Sequence, residues 1–211
     1  MSAAGAIDRS LLDSLGRMGL LSASETPRIE ALTGGVSSDI ASVGMGDIAA
    51  KGGKPNPNDA LNISLEDMNA VMNRNFVGTM LMCRAVVPGM ARRQKGAVIN
   101  FGSLNGHIGV VSEVVYGCAK AAILHYTRCL ALEMKPHGVR VNAVAPTYID
   151  TEMNAYVYQD AEMYRHWVGG TPMNRLGKVD EVASVILFLA SGAASLMTGS
   201  VVLADGGYVC W

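Results

Sequence analysis

From about residue 60 onward the apolar positions alternate between two periods. Met68, Val71, Met72, Asn75 and Phe76 recur at helical spacing behind Ser64 and Asp67, a pair that resembles a capping box, so one long helix is expected to run from there to 88–94. GAVINFGS (96–103) reads as a short buried strand with Ser103 at its carboxyl end. The stretch VVYGCAKAAI (114–123) belongs to a second helix that reaches about Lys135, where Pro136, His137 and Gly138 stop it. GVRVNAVAP (138–146) is the next strand, and the polar and aromatic segment 147–178 carries no clear period. VDEVASVILFLAS (179–191) reads as a helix and SVVLAD (200–205) as a last strand closed by Gly206 and Gly207. Strands alternating with helices imply an α/β fold whose parallel sheet is covered on both faces, a doubly wound arrangement.

In such a sheet, ligands bind outside the carboxyl ends of the strands. Ser103 and the segment after Pro146 both fall at that edge, and the helix bearing Tyr116 and Lys120 starts from it. Four positions apart, Tyr116 and Lys120 share a helix face. By itself the pair also fits a packing role, the phenol satisfied against a strand and the lysine stem laid over apolar surface. Together with Ser103 it supports chemistry. A phenol of ordinary pKa about 10 is brought toward use as a base by a nearby ammonium. A serine hydroxyl can hold an oxygen on which charge develops. Those are the needs of hydride exchange between a nicotinamide ring and an alcohol or ketone, which also moves a proton on the substrate oxygen.

Composition narrows the class. With a net charge of −1 and only 17% charged residues, the chain has neither a nucleic-acid footprint nor an acidic tail. VASVILFLA (182–190) is too short to cross a bilayer, and the N-terminus lacks a signal-peptide core, so a cytoplasmic protein without membrane or nucleic-acid partners is expected. Cys83, Cys118, Cys129 and Cys210 lack metal or redox spacing and are expected to be reduced, mainly core, thiols; no metal site is expected.

The segment from about 48 to 211 resembles the short-chain dehydrogenase/reductase family. NRNFVGT (73–79), INFGSLNGH (99–107), YGCAK thirteen residues after Ser103, GVRVNAVAPTYIDT (138–151) and MTGSVVLADGG (197–207) follow that family's signatures in order and spacing. The resemblance implies a Rossmann-like doubly wound sheet, NAD or NADP as cofactor, and a small-molecule alcohol or ketone of polyol, sugar or hydroxy-ketone type as substrate. It implies Tyr116 as catalytic acid/base, Lys120 as its pKa-lowering partner and ribose ligand, Ser103 as substrate-oxygen donor and Asn75 as holder of a relay water. Pro146, Ile149 and Thr151 would lie at the nicotinamide, and Ser103, Asn105 and His107 in the substrate pocket. Thr147 departs from the glycine usual after the proline. His107 and His166 are expected as pocket or surface histidines, and Asp205 as a turn residue. Tyr208, Val209 and Trp211 are expected to pack either on a partner subunit of a homo-oligomer, dimer or tetramer, or on their own domain.

Toward the N-terminus the match fails. The family's glycine-rich first turn and its NNAG motif have no counterpart, GMGDI (44–48) standing in the latter's place, and 43 residues cannot hold the missing strands and helices. In LTGGVSSDIASV (32–43), Ser38 and Ile40 occupy positions where a dinucleotide turn needs glycine. The stretch PRIEALTGGVSSDIASV is instead similar to the start of aminoglycoside-phosphotransferase-like kinases. Two units are therefore expected: an atypical, fused segment 1–43, and a truncated dehydrogenase domain 44–211 that lacks the first strands of its cofactor half. The alternative to an active enzyme is a non-catalytic remnant that folds or oligomerises without binding dinucleotide.

Overall fold

The computed structural model describes residues 60–210. The expected boundary at 43–44, GMGDI, LTGGVSSDIASV and Trp211 lie outside the described residues.

The first helical stretch differs from the single helix its periodicity predicts. Helix α1 (Leu65–Met72) begins at Ser64, whose Oγ accepts the Asp67 backbone N–H at 3.0 Å and donates to Asp67 Oδ2 at 2.7 Å. The hydroxyl thus caps the helix, while the carboxylate binds it in return rather than the Ser64 backbone N–H. A wide π-helical turn, Asn73–Val77, follows before helix α2 (Gly78–Arg93). Asn75 holds this turn from both sides: its Nδ2 donates to the Val71 carbonyl at 3.0 Å, and its own carbonyl accepts Thr79 Oγ1 at 2.7 Å. The hydrophobic period passes through the turn unbroken, which is why the period alone does not reveal it.

Three strands, β1 (Gly96–Phe101), β2 (Val139–Pro146) and β3 (Val201–Ala204), form a parallel sheet in that order, with Val98 opposite Val141 and Ala143 opposite Val201. Between β1 and β2 runs helix α3 (Val114–Met134), which buries Val115, Ala119, Ile123, Thr127 and Leu130 along one stripe. That stripe meets the sheet in a core that includes Val87, Met90, Val98, Leu130 and Val141. Within it, Asn100 Nδ2 donates to Thr127 Oγ1 at 2.9 Å, and that hydroxyl donates to the Ile123 carbonyl at 2.9 Å, so the polar atoms are partnered. Cys83 lies in this core, but the expectation of mainly core thiols is corrected: Cys118, Cys129 and Cys210 are exposed, the first two because they fall on the outer face of α3.

Buried Asn142 ties β2 to the approach of β3. Its Nδ2 donates to the Met197 carbonyl at 2.9 Å and its Oδ1 accepts the Ser200 N–H at 3.1 Å. Asn142→Ala should cost about 2 kcal/mol, because it strands the Ser200 N–H and leaves the Met197 carbonyl with only its 3.3 Å bond from Arg140 Nη1. Urea unfolding measures this; an unchanged midpoint would remove the side chain from the ledger of the fold.

The segment without a sequence period folds as a 3₁₀ stretch (Glu152–Gln159) and helix α4 (Ala161–Gly169), capped by Asp160 Oδ1 on the Glu162 and Met163 N–H groups at 2.9 Å each. Its apolar side closes a second cluster of Leu104, Tyr148, Val168 and Leu176. Tyr148 stacks on Trp167 at 4.0 Å between centroids and meets Tyr208 edge-on at 6.1 Å. Tyr208 and Val209 therefore pack, half-buried, against their own domain. Helix α5 (Val179–Ala190) begins where Glu181 accepts the Lys178 N–H at 2.7 Å and pairs with Arg175 through two bonds of 2.6 and 2.8 Å. Among the described residues no helix is long and apolar enough to cross a membrane, and no metal-ligating cluster occurs.

Candidate active site

The carboxyl edge of the sheet opens into a cleft of about 510 Å³. Its polar side carries Ser103, Tyr116 and Lys120; Pro146, Thr147, Ile149 and Thr151 line it after β2, and Val179, Val182 and Ile186 of α5 form its apolar wall.

Local sequence explains the convergence. Strand β1 ends at Phe101, two residues before the expected end, and Ser103 becomes the extended N-cap of a 3₁₀ turn (Leu104–Gly106), its Oγ accepting the Asn105 N–H at 3.2 Å. This turn packs directly on α3 because two glycines meet there. A Cβ on Gly117 would sit 3.0 Å from the Asn105 carbonyl oxygen, and one on Gly106 would sit 3.0 Å from the Lys120 carbonyl carbon. Neighbouring Tyr116 is thereby brought to the Ser103 side of the cleft, close enough for the serine hydroxyl to influence its ionisation. One turn further along, Lys120 Nζ donates to the Phe101 carbonyl at 3.1 Å and stands 5.5 Å from the centre of the Tyr116 ring.

Burial governs the electrostatics. It raises the Tyr116 pKa above the usual phenol value; the nearby Ser103 hydroxyl opposes this, and the charge of Glu113 adds to it. Burial also lowers the Lys120 ammonium to about 8. The expectation that Lys120 draws the phenol below its ordinary range is therefore corrected for the free chain, where burial holds the phenol above that range.

The remaining expected residues are less central. Asn75 sits on the wide turn, which packs on α3 through the edge-on contact of Phe76 with Tyr126, outside the lining of the cleft. Asn105 is buried and His107 exposed, and neither lines the cleft. His166 is exposed on α4. Asp205 holds the turn after β3, as expected, accepting the Gly207 N–H at 3.0 Å and the Val209 N–H at 2.9 Å.

Three polar atoms escape sequence reasoning. Thr147 Oγ1, Glu113 Oε2 and, on the wide turn, Arg74 Nη1 are buried with no hydrogen-bond partner. The non-glycine after Pro146 signals the first; nothing in a helix-start glutamate signals the second.

Comparison with known proteins gives the family and the fold. A family model described as enoyl-(acyl carrier protein) reductase matches residues 29–209. Galactitol 2-dehydrogenase of Rhizobium johnstonii is 46% identical over 147 residues, which is 69% of this chain and 57% of that enzyme. The L-tagatose-forming galactitol 2-dehydrogenase of Cereibacter sphaeroides is 34% identical over 99% of this chain and 83% of its own length. A gluconate 5-dehydrogenase from Burkholderia cenocepacia, solved with NADP and tartrate, superposes with a TM-score of 0.68 at 29% identity, over 70% of this chain and 58% of that one. The chain belongs to the short-chain dehydrogenase/reductase family and has its Rossmann-like α/β fold. It spans under two thirds of the length of the Rhizobium and Burkholderia proteins. The family match runs through 29–43, and the kinase resemblance of that segment finds no support among the matches.

Proposed function

We propose that the protein is an NAD(P)-dependent oxidoreductase that exchanges hydride between the nicotinamide and a secondary alcohol or ketone of the polyol, sugar or hydroxy-ketone class. The carrying observation is the meeting of Ser103, Tyr116 and Lys120 in one cleft at the carboxyl edge of a parallel sheet. The galactitol and gluconate dehydrogenases to which the chain is similar support the substrate class, and the NADP of the Burkholderia structure supports the cofactor.

The described residues fit the nicotinamide end of such a cofactor. The cleft offers an apolar wall for a flat ring, and the orphaned Thr147 hydroxyl and the Lys120 ammonium supply polar groups at its rim. Pro146, Ile149 and Thr151 would hold the ring, and Lys120 the ribose. When bound, the dinucleotide supplies the hydride exchange. The chain's own residues handle the proton: Ser103 Oγ positions the substrate oxygen, and the Tyr116 hydroxyl gives a proton to that oxygen in reduction and takes it in oxidation. A phenol held protonated by burial suits the reductive direction. Asn75 would hold water behind Lys120. Asn105 and His107 would act only at the outer substrate pocket. The exposed Leu187 and Phe188 on α5 and Leu203 on β3 fit burial in a homo-oligomer, in the cytoplasm.

One observation favours a second reading. Ser38 and Ile40 stand where a dinucleotide-binding turn needs glycine, which fits a non-catalytic chain that folds without seating a dinucleotide. Oxidation of a hexitol by the purified protein with NAD or NADP, followed by nicotinamide absorbance, separates the two. Turnover is expected; a folded protein inert toward polyols, sugars and hydroxy-ketones with both cofactors would leave the second reading.

A further inference from the structure

Glu113 is the N-cap residue of α3, yet its side chain makes no capping bond. Its Oε2 is buried without a hydrogen-bond partner. Burial raises this carboxyl to about 7. The arrangement is unfavourable for the free fold, since a buried polar oxygen lacks the bonds water would give it. The location gives it a use. Glu113 precedes Tyr116 by three residues, one helical turn, so the two side chains neighbour each other, and its charge is felt at the Tyr116 hydroxyl.

We infer that Glu113 determines specificity for vicinal diols: its carboxyl hydrogen-bonds a substrate hydroxyl on the carbon next to the one whose oxygen is held by Ser103 and Tyr116. This rests on the oxidoreductase reading and narrows it to substrates with adjacent hydroxyls. Glu113 lies outside the lining of the 510 Å³ cleft and beside its Tyr116, so the hydroxyl it would bond is the one that a substrate held at Tyr116 presents toward the start of α3. A site built to bond that hydroxyl rejects an analogue lacking it, because its own polar group is then left unpaired.

The test compares the full chain with its Glu113→Leu and Glu113→Gln variants, using a hexitol and a lone secondary alcohol of similar size. The readout is the ratio of kcat/KM for the hexitol to kcat/KM for the lone alcohol. Glu113→Leu should lower this ratio at least tenfold, chiefly through the hexitol KM, while its melting temperature without ligand stays level or rises. Glu113→Gln, which keeps a hydrogen-bonding oxygen, should hold the ratio within about threefold. An unchanged ratio in Glu113→Leu would overturn the inference and leave the oxidoreductase reading intact. So would a wild-type protein that oxidises lone alcohols and not hexitols. A wild-type protein that oxidises neither overturns both.

Discussion

Tyr116→Phe is expected to lower kcat by on the order of 10³-fold and leave the protein folded. The variant removes the hydroxyl that exchanges a proton with the substrate oxygen and nothing else of size. The ring keeps its place on α3, and whatever hydrogen bond the hydroxyl makes is worth about 1 kcal/mol. The melting temperature should therefore move by a few degrees at most. Steady-state kinetics with either cofactor checks the loss; activity near that of the wild type would take Tyr116 out of the proton path, and an unfolded variant would show that its hydroxyl is structural.

Lys120→Met should cost roughly 10²-fold in kcat/KM. Methionine keeps much of the aliphatic stem against Tyr116 but removes the cation and its 3.1 Å bond to the Phe101 carbonyl. The pH dependence follows from the lowered Lys120 pKa of about 8. Below that value the wild type carries the ammonium that favours a proton leaving Tyr116; above it the charge is lost. The gap between wild type and variant should thus be widest below pH 8 and narrow as pH rises through it. A gap independent of pH would mean that Lys120 acts through packing alone.

Much of this site is legible in the sequence because its parts lie on regular elements. The strands around Val98 and Val141 are short apolar runs, and α3 repeats its apolar stripe for five turns and more, so Ser103, Tyr116 and Lys120 fall where period and strand ends place them. What stayed hidden depends on groups that periodicity does not carry. The wide turn at Asn75 is made by two side-chain bonds, to Val71 and from Thr79, that leave the apolar spacing intact. Helix α4 buries only Val168 outright and anchors through Trp167 on Tyr148, a tertiary contact rather than a stripe. The raised Tyr116 pKa and the stranded Glu113 oxygen are consequences of burial, which residue spacing does not report.

The central claim is that this chain seats a nicotinamide dinucleotide beside Tyr116. Titrating the purified 211-residue protein with NADH and with NADPH, following nicotinamide fluorescence and melting temperature together, tests it most directly. Saturable fluorescence change with a melting temperature that rises with ligand concentration is the expected result. A folded protein whose fluorescence and melting temperature ignore both cofactors would contradict it, leaving Ser103, Tyr116 and Lys120 as the residues of a reaction the chain does not perform.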